Sequence, residues 1–301
     1  MSEPRVSVVV VCFEAREDLP ECLASIETHA GAGHEVLVVD NASTDGSAEL
    51  VARTHPNVAL IRNAANFGFG RACNQGAAAS AGRHLLFLNP DARLTSGALD
   101  ALSRILDDDP AVGIVGPRTL NEDGTQQVSF GPALGLAAEW RQRRLVRGVR
   151  RRDPAALRRA EALSAAPSEP DWVSGACLLI RRAAFEQVGG FDEAFFLYEE
   201  DVDLCVRAGA AGWRVRYEPR AAVIHRLGSS MARLAPRARL EYHRSHLRYY
   251  RKHNGAASVG LLRAALALRS LAGWIASRLR ADEEGRRVHA AALRLALRGD
   301  P

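Results

Sequence analysis

The run Val6–Val11, with valine at five of its six positions, constrains this chain more than any other feature. Branched side chains suit an extended backbone, and a strand that is apolar on both faces must lie between two layers of helix. Glu35–Val39 gives the same signal and ends at Asp40. Val58–Ile61, Leu85–Leu88 and Val112–Val115 follow in the same style. Between them lie segments with helical spacing: Leu19–Thr28, Ala48–Arg53, the alanine-rich Gly70–Ala79 and Leu99–Leu106. Strands and helices that alternate through short links predict an α/β fold built on a doubly wound, mostly parallel sheet.

The alternation breaks after Val115. Ala133–Pro170 is rich in Arg, Ala and Pro and reads as a mobile loop with helical pieces. Regularity returns at Trp172–Ile180, an apolar strand interrupted by Gly175, followed by a helix that opens near Asp201. Trp213–Tyr217 and Ala221–Ile224 read as strands, and the chain beyond Arg233 reads as helix. One sheet domain is therefore expected over residues 1–230, with an arginine-rich insertion at about 133–170, and a helical region over 231–301.

A chain of 301 residues can bury a substantial core. Its 40 basic against 35 acidic residues leave +5, and nine arginines fall between Arg141 and Arg159. A second basic stretch runs from Arg233 to His253. Such patches suit phosphates or an acidic membrane surface, and serve equally well as solvated faces. Trp140 alone interleaves the arginine-rich insertion, so a nucleic-acid partner is not expected. The five cysteines are scattered without a CxxC pair and read as buried thiols in a reducing cytoplasm. No uninterrupted apolar stretch reaches 18 residues, so no clear membrane-spanning helix is expected. Leu261–Leu279 is amphipathic and carries Arg263, Arg269 and Arg278; it suits either a membrane surface or a helix packed on the main domain.

Open parallel sheets bind ligands beyond the carboxyl ends of their strands. Those ends read Cys12-Phe13-Glu14, Asp40-Asn41 and Asn89-Pro90-Asp91, which gathers polar groups on one rim. Asp40 and Asn41 can hydrogen-bond a base or ribose, whereas Ser43 and Asp45 suit the cap of the next helix. Asn66 to Asn74 places glycines and Arg71 at a helix N-terminus, a position suited to phosphate oxygens. Asn89 and Asp91 can hold a hard divalent ion, although Asn-Pro-Asp is also ordinary turn punctuation. His225 closes a strand and could be structural or a ligand. The run Phe195-Phe196-Leu197-Tyr198-Glu199-Glu200-Asp201-Val202-Asp203 sets four carboxylates behind an apolar wall. That raises at least one carboxyl pKa and leaves a base beside a cleft, though acids also favour the first turn of a helix.

The succession Val-Val-Asp-Asn-x-Ser-x-Asp-Gly-Ser, Asn-x-Gly-Phe-Gly-x-Ala-x-Asn, Phe-Leu-Asn-Pro-Asp and Gly-Gly-Phe-Asp-Glu-x-Phe-Phe-x-Tyr-Glu-Glu-Asp-Val-Asp-Leu-Cys resembles the family 2 glycosyltransferases of GT-A fold. The likeness runs from about Val6 to His253 and is nearest to the rhamnosyltransferase-like and galactofuranosyltransferase-like branch. It implies inverting transfer of a sugar, rhamnose from dTDP-rhamnose by preference, onto a glycan or lipid-linked glycan in cell-surface polysaccharide synthesis. Carried over residue by residue, Asp201 is the base, and Asp91 with His225 binds Mg²⁺ or Mn²⁺. Asp40, Asn41, Glu14, Asn66, Arg71, Asn74 and Asn89 serve the donor, and Trp172 and Glu200 the acceptor. Asn89 departs from a full Asp-x-Asp, which weakens metal affinity. The expected location is cytoplasmic, peripheral on the inner face of the membrane. A nucleotidyltransferase would carry a glycine-rich basic loop after the first strand, and Cys12-Phe13-Glu14-Ala15 is none. A non-catalytic sugar-nucleotide or glycan-binding relative would be expected to have lost Asp91 or Asp201, and both are present.

Overall fold

The computed structural model describes residues 5–31, 33–226 and 235–298. The first half alternates strictly: β1 (Val6–Cys12), α1 (Leu19–His29), β2 (His34–Asp40), α2 (Ser47–Thr54), β3 (Ala59–Arg62), α3 (Phe69–Ala78) and β4 (His84–Leu88). Then come β5 (Ala92–Leu94), α4 (Ala98–Asp108), β6 (Val112–Leu120) and β7 (Phe130–Gly131). The second half holds α5 (Leu136–Arg150), α6 (Pro154–Ser164), β8 (Trp172–Val173), β9 (Cys177–Arg181), α7 (Arg182–Gln187), α8 (Glu200–Ala210) and β10 (Arg214–His225). It closes with α9 (Ala235–His253), α10 (Ala256–Leu279) and α11 (Glu283–Arg298).

Eight strands form one sheet in the order β3-β2-β1-β4-β9-β6-β10-β5, and β7 and β8 form a small separate pair. β1 pairs parallel with both β2 and β4, which sets Cys12 level with Asp40. The sheet is mixed beyond β4, because β9 runs antiparallel between β4 and β6. The expected single strand Trp172–Ile180 is in fact two, β8 and β9, broken at Ser174-Gly175-Ala176. The two strands expected before His225 are one, β10, with an irregularity between Glu218 and Ala222.

Strand alternation explains the valine run. Val8 and Val10 enter a core with α1 and α4, whereas Val9 and Val11 face α3, α8 and the tyrosines of α9. Each buried valine contributes roughly 1.5–3 kcal/mol. Helix α3 lies so close to the sheet that a Cβ at Gly76 would stand 2.4 Å from Val9, which accounts for its small residues. Residues 133–170, expected as a mobile loop with helical pieces, are built mainly as α5 and α6. Asp153 caps α6 by accepting the N–H groups of Ala155 and Ala156, and arginine and alanine are strong helix formers.

Tyr249 and Tyr250 of α9 are fully buried in the core on the α8 face. Helices α9, α10 and α11 share a second apolar cluster at Leu247, Leu266 and Leu295. Arg263 crosses between α10 and α11 to donate to the carbonyl of Ala296. Helix α10 is long and apolar enough, by length and composition, to cross a membrane, with mean hydropathy 1.4 over its best window. The sequence expectation counted uninterrupted apolar residues, and arginines interrupt this run without removing its average character.

Candidate active site

Three loops converge at the carboxyl ends of β1, β2 and β4. They meet a cleft of about 330 Å³ whose lining includes Asn41, Asn66, Asn89, Asp91, Asp201 and His225. Glu200 lines it as well. Seven of the residues singled out from sequence thus share one cavity.

Asp91 and His225 come from opposite directions, one after β4 and the other at the end of β10. The antiparallel pairing of β5 with β10 sets His225 against Ala92. His225 Nε2 stands 3.2 Å from Asp91 Oδ1 and 3.4 Å from Asn89 Nδ2. On the other side of the ring, Nδ1 lies 3.2 Å from Gln127 Oε1, and Gln127 in turn donates to the His225 carbonyl at 2.7 Å. With Nδ1–H donated to Gln127, Nε2 presents a lone pair toward the Asp91 carboxylate. Two acceptors facing each other at this distance suit a cation. Adjacent ligands of an octahedral ion with bonds of about 2.1 Å lie about 3 Å apart, so the pair fits one edge of such a shell. Turning the Asn89 amide over would offer Oδ1 as a third donor. Among the described residues no set of three His, Cys, Asp or Glu side chains converges. The site therefore suits an ion that takes its other ligands from water and substrate.

The acidic run builds the other wall. Tyr198 and Glu199 both adopt left-handed backbone, at φ 71° and 66°, which is strained for non-glycine residues. Helix α9 holds them there: Ser245 donates to the Leu197 carbonyl at 2.8 Å, and His246 Nδ1 lies 2.9 Å from Glu199 Oε1. The other His246 nitrogen is 3.1 Å from Glu139 of α5, whose carboxylate also accepts from Tyr250 at 2.7 Å. Burial alone would depress the His246 pKa, but the Glu139 and Glu199 carboxylates at its two ring nitrogens push it up to about 9. A protonated imidazole thus ties α5, α9 and the acidic turn together.

The turn delivers Glu200 and Asp201 to the first turn of α8, where the helix dipole favours negative charge. Asp201 accepts the N–H of Gly175 at 2.7 Å through Oδ2 and that of Val202 at 2.8 Å through Oδ1. Burial raises its pKa, and the two N–H groups oppose the rise. Glu200 is held well above the usual carboxylate range by burial and then by the Asp201 charge, and its Oε2 has no hydrogen-bond partner. Burial thus favours the proton on Glu200, whereas the two N–H donors favour the charge on Asp201. A Cβ at Gly175 would stand 3.1 Å from Asp201 Cβ, so the gap in the β8–β9 strand makes room for this carboxylate. Asp203 is fully buried in a salt-bridge cluster with Arg207, Lys252 and His253.

Other expected residues sit apart from the cleft lining. Asp40 is buried, accepting from Cys12 Sγ at 3.2 Å and from the Ser43 N–H at 3.2 Å. Glu14 accepts the N–H and hydroxyl of Thr44. Asn41, although it lines the cleft, spends its amide on Asn63, Asn66, Phe67 and Gly68 and so shapes the loop before α3. Asn74 clamps both the N–H and the carbonyl of Phe191. Arg71 stacks 4.4 Å over Phe67 and reaches Glu193 at 3.7 Å, away from the cavity. Trp172 lines a neighbouring cleft of about 400 Å³ with Glu139, Tyr242 and Glu199, and Glu199 also borders the first cleft. Sequence reasoning missed Gln127, His246 and the roles of Gly175 and Glu199. The glycine that interrupts an apolar strand was the one available signal.

The sequence profile described as "Glycosyl transferase family 2" matches residues 7–189, and that described as "Glycosyl transferase family group 2" matches 151–277. The chain belongs to glycosyltransferase family 2. Within that family it is 34% identical over 278 residues to the N-acetylglucosaminyl-diphospho-decaprenol L-rhamnosyltransferase of Mycobacterium tuberculosis, covering 87% of this chain and 91% of the relative. A shorter match, 46% over 55 residues, links it to the rhamnosyltransferase WbbL of Escherichia coli, with 18% of this chain and 21% of WbbL covered. In architecture it is similar to the mannosyltransferase PcManGT from Pyrobaculum calidifontis, solved with GDP-Man and Mn²⁺, at TM-score 0.57 and 18% identity over 99% of this chain and 88% of that one. Staphylococcus aureus TarS 1–349 gives TM-score 0.55 at 15% identity over 98% and 92%. The GT-A fold expected from the motifs is the observed one, and the chain is a glycosyltransferase.

Proposed function

We propose that this chain is an inverting, metal-dependent rhamnosyltransferase. It moves rhamnose from dTDP-rhamnose onto a diphospholipid-linked sugar acceptor in cell-wall polysaccharide synthesis. The observation that carries the reading is the single cleft in which the Asp91–His225 pair and the Asp201 carboxylate face the same space. The choice of sugar and acceptor rests on the rhamnosyltransferase relative that spans most of the chain.

Inversion needs one in-line attack, so one base must take the acceptor hydroxyl's proton as the bond forms. Asp201 is that base; the N–H groups of Gly175 and Val202 aim its carboxylate while leaving it anionic. Glu200, whose protonated form burial favours, can donate to an acceptor or sugar oxygen. Asp91, His225 and Asn89 would hold the divalent ion, Mg²⁺ or Mn²⁺, which offsets the negative charge gathering on the departing nucleoside diphosphate. Asp40 and Asn41 shape the rim on which the nucleoside rests, and Trp172 supplies the apolar wall of the acceptor cleft. The exposed leucines of α10, Leu261, Leu268, Leu271 and Leu279, with Arg269 and Arg278, dock the protein on the anionic inner face of the membrane, where a lipid-linked acceptor resides.

The test is direct. Purified protein is incubated with dTDP-rhamnose, Mg²⁺ or Mn²⁺ and an N-acetylglucosaminyl diphospholipid, and the product linkage is read by NMR. Transfer with inverted anomeric configuration, abolished by EDTA, is expected. Nucleotide-sugar binding without turnover would favour a non-catalytic binding protein, and turnover with UDP-hexoses alone would overturn the donor.

A further inference from the structure

The clefts around the acidic turn carry a charge pattern that the catalytic reading leaves unused. One face of α5 supplies Glu139, Arg143, Val146, Arg147 and Arg150 to the cleft that holds Trp172 and Glu199. Arg143 is neutralised, since it pairs with Glu139 and donates to the Tyr242 hydroxyl. Arg147 and Arg150 have no ion pair among the described residues. Arg150 also borders the adjoining cleft of about 610 Å³, where Arg152 is paired with Asp123 and Arg226 with Glu122. Two uncompensated guanidinium groups, about 4.5 Å apart along the helix axis, therefore face a concavity next to the base-bearing turn. Like charges converging on a recess raise each other's energy unless an anion occupies it.

We infer that Arg147 and Arg150 form the binding site for the diphosphate of the lipid-linked acceptor. The inference rests on the acceptor class proposed above and adds the residues that recognise its charged group. A diphosphate diester carries two negative charges, matched by the two unpaired arginines. Planar guanidinium forks suit its oxygens better than point charges would. The donor's own diphosphate belongs to the other side of Glu199, with Asp91 and His225. The arrangement assigns a job to the insertion between β7 and β8. It anchors the acceptor's charged group so that the sugar hydroxyl projects past Trp172 toward Asp201.

The experiment compares wild type with Arg147→Ala/Arg150→Ala. Two acceptors are used with dTDP-rhamnose: an N-acetylglucosaminyl diphosphoryl lipid of short chain, and the same sugar as a plain alkyl glycoside of equal chain length. Both arginines are exposed, so the double variant should fold normally by circular dichroism. The variant should raise KM for the diphosphate acceptor by at least about a hundredfold, the low end of the scale for losing two charged hydrogen bonds. KM for dTDP-rhamnose and turnover of the alkyl glycoside should stay within about twofold. A rise in donor KM instead would assign the arginines to the donor's diphosphate, and unchanged kinetics for both substrates would leave them a solvated face; either overturns the inference. Equilibrium binding of the diphosphoryl lipid, with dTDP saturating the donor site, supplies a second readout that does not need transfer. If wild type transfers to neither acceptor, the proposed function fails. Binding that is equal in wild type and variant then also overturns the site, whereas weaker binding in the variant supports it.

Discussion

His246→Gln should weaken the protein by an amount that depends on pH. The imidazole lies between Glu139 and Glu199 at 3.1 and 2.9 Å and is almost wholly buried. Its pKa rises from 6.5 in the open chain to about 9 in the fold. A raised pKa stabilises the fold fully below pH 6.5, and that stability drains away as pH climbs through 9. The shift corresponds to about 3 kcal/mol near pH 6 and to less than about 1 kcal/mol at pH 8.5, from 1.36 kcal/mol per unit. The assay is urea unfolding of both proteins at half-unit steps from pH 6 to 8.5, compared at constant m. The gap between wild type and variant should shrink by about 2 kcal/mol across that range. Comparison by difference matters, because the buried thiols also lose stability as the unfolded chain begins to ionise, equally in both proteins. A gap that stays constant with pH would show that the His246 pKa is the same in the fold as in the open chain, and that packing alone joins α9 to the acidic turn.

Asp201→Asn should lower kcat by about 10² to 10⁴ while dTDP-rhamnose affinity by calorimetry stays close to wild type; Glu200→Gln, which mimics the protonated form that burial favours, should lower it far less. Asp91→Ala should remove the Mn²⁺-dependent part of donor binding, and unchanged binding with Mn²⁺ would refute the ion's placement at Asp91 and His225. Gly175→Ala should reduce turnover by about tenfold, because the three atoms nearest the new methyl all belong to Asp201, the proposed base. Since burial raises Asp201 and a base works deprotonated, kcat/KM should fall toward acid with an apparent pKa above that of an ordinary aspartate, and a limb near 3.9 would contradict the buried pair.

The parts of the fold legible in the sequence are those governed by local pattern. Val6–Val11 and the Leu37–Val39 part of the second run are buried on both faces, so their composition alone set the parallel half of the sheet. The antiparallel insertion of β9 was not legible, because Leu178, Leu179 and Ile180 look the same in either direction and only pairing decides. Helices α5 and α6 were hidden by their arginines. With charge on most faces, no apolar stripe marks the helix, and Asp153-Pro154 was the cap that could have revealed α6.

The site divides along the same line. Asn89, Asp91 and Asn41 follow directly from strand ends, so a rule about sheet edges finds them, and His225 joins them by ending a strand on the same rim. The acidic turn is different. Tyr198 and Glu199 stay left-handed only because Ser245 and His246 hold them, and those partners lie more than forty residues downstream. The backbone strain, of order 1–3 kcal/mol per residue, is sustained by contacts that nothing near residue 199 in the sequence announces. On the proposed reading, donor-side chemistry is written into the sheet, while the proposed base and acceptor cleft exist only once α5, α8 and α9 have packed. A substitution on α9 that loosens His246 should accordingly harm acceptor turnover before it harms donor binding. Measuring both constants on His246→Gln separates the two halves of the site, and an equal loss in each would show that they are one unit.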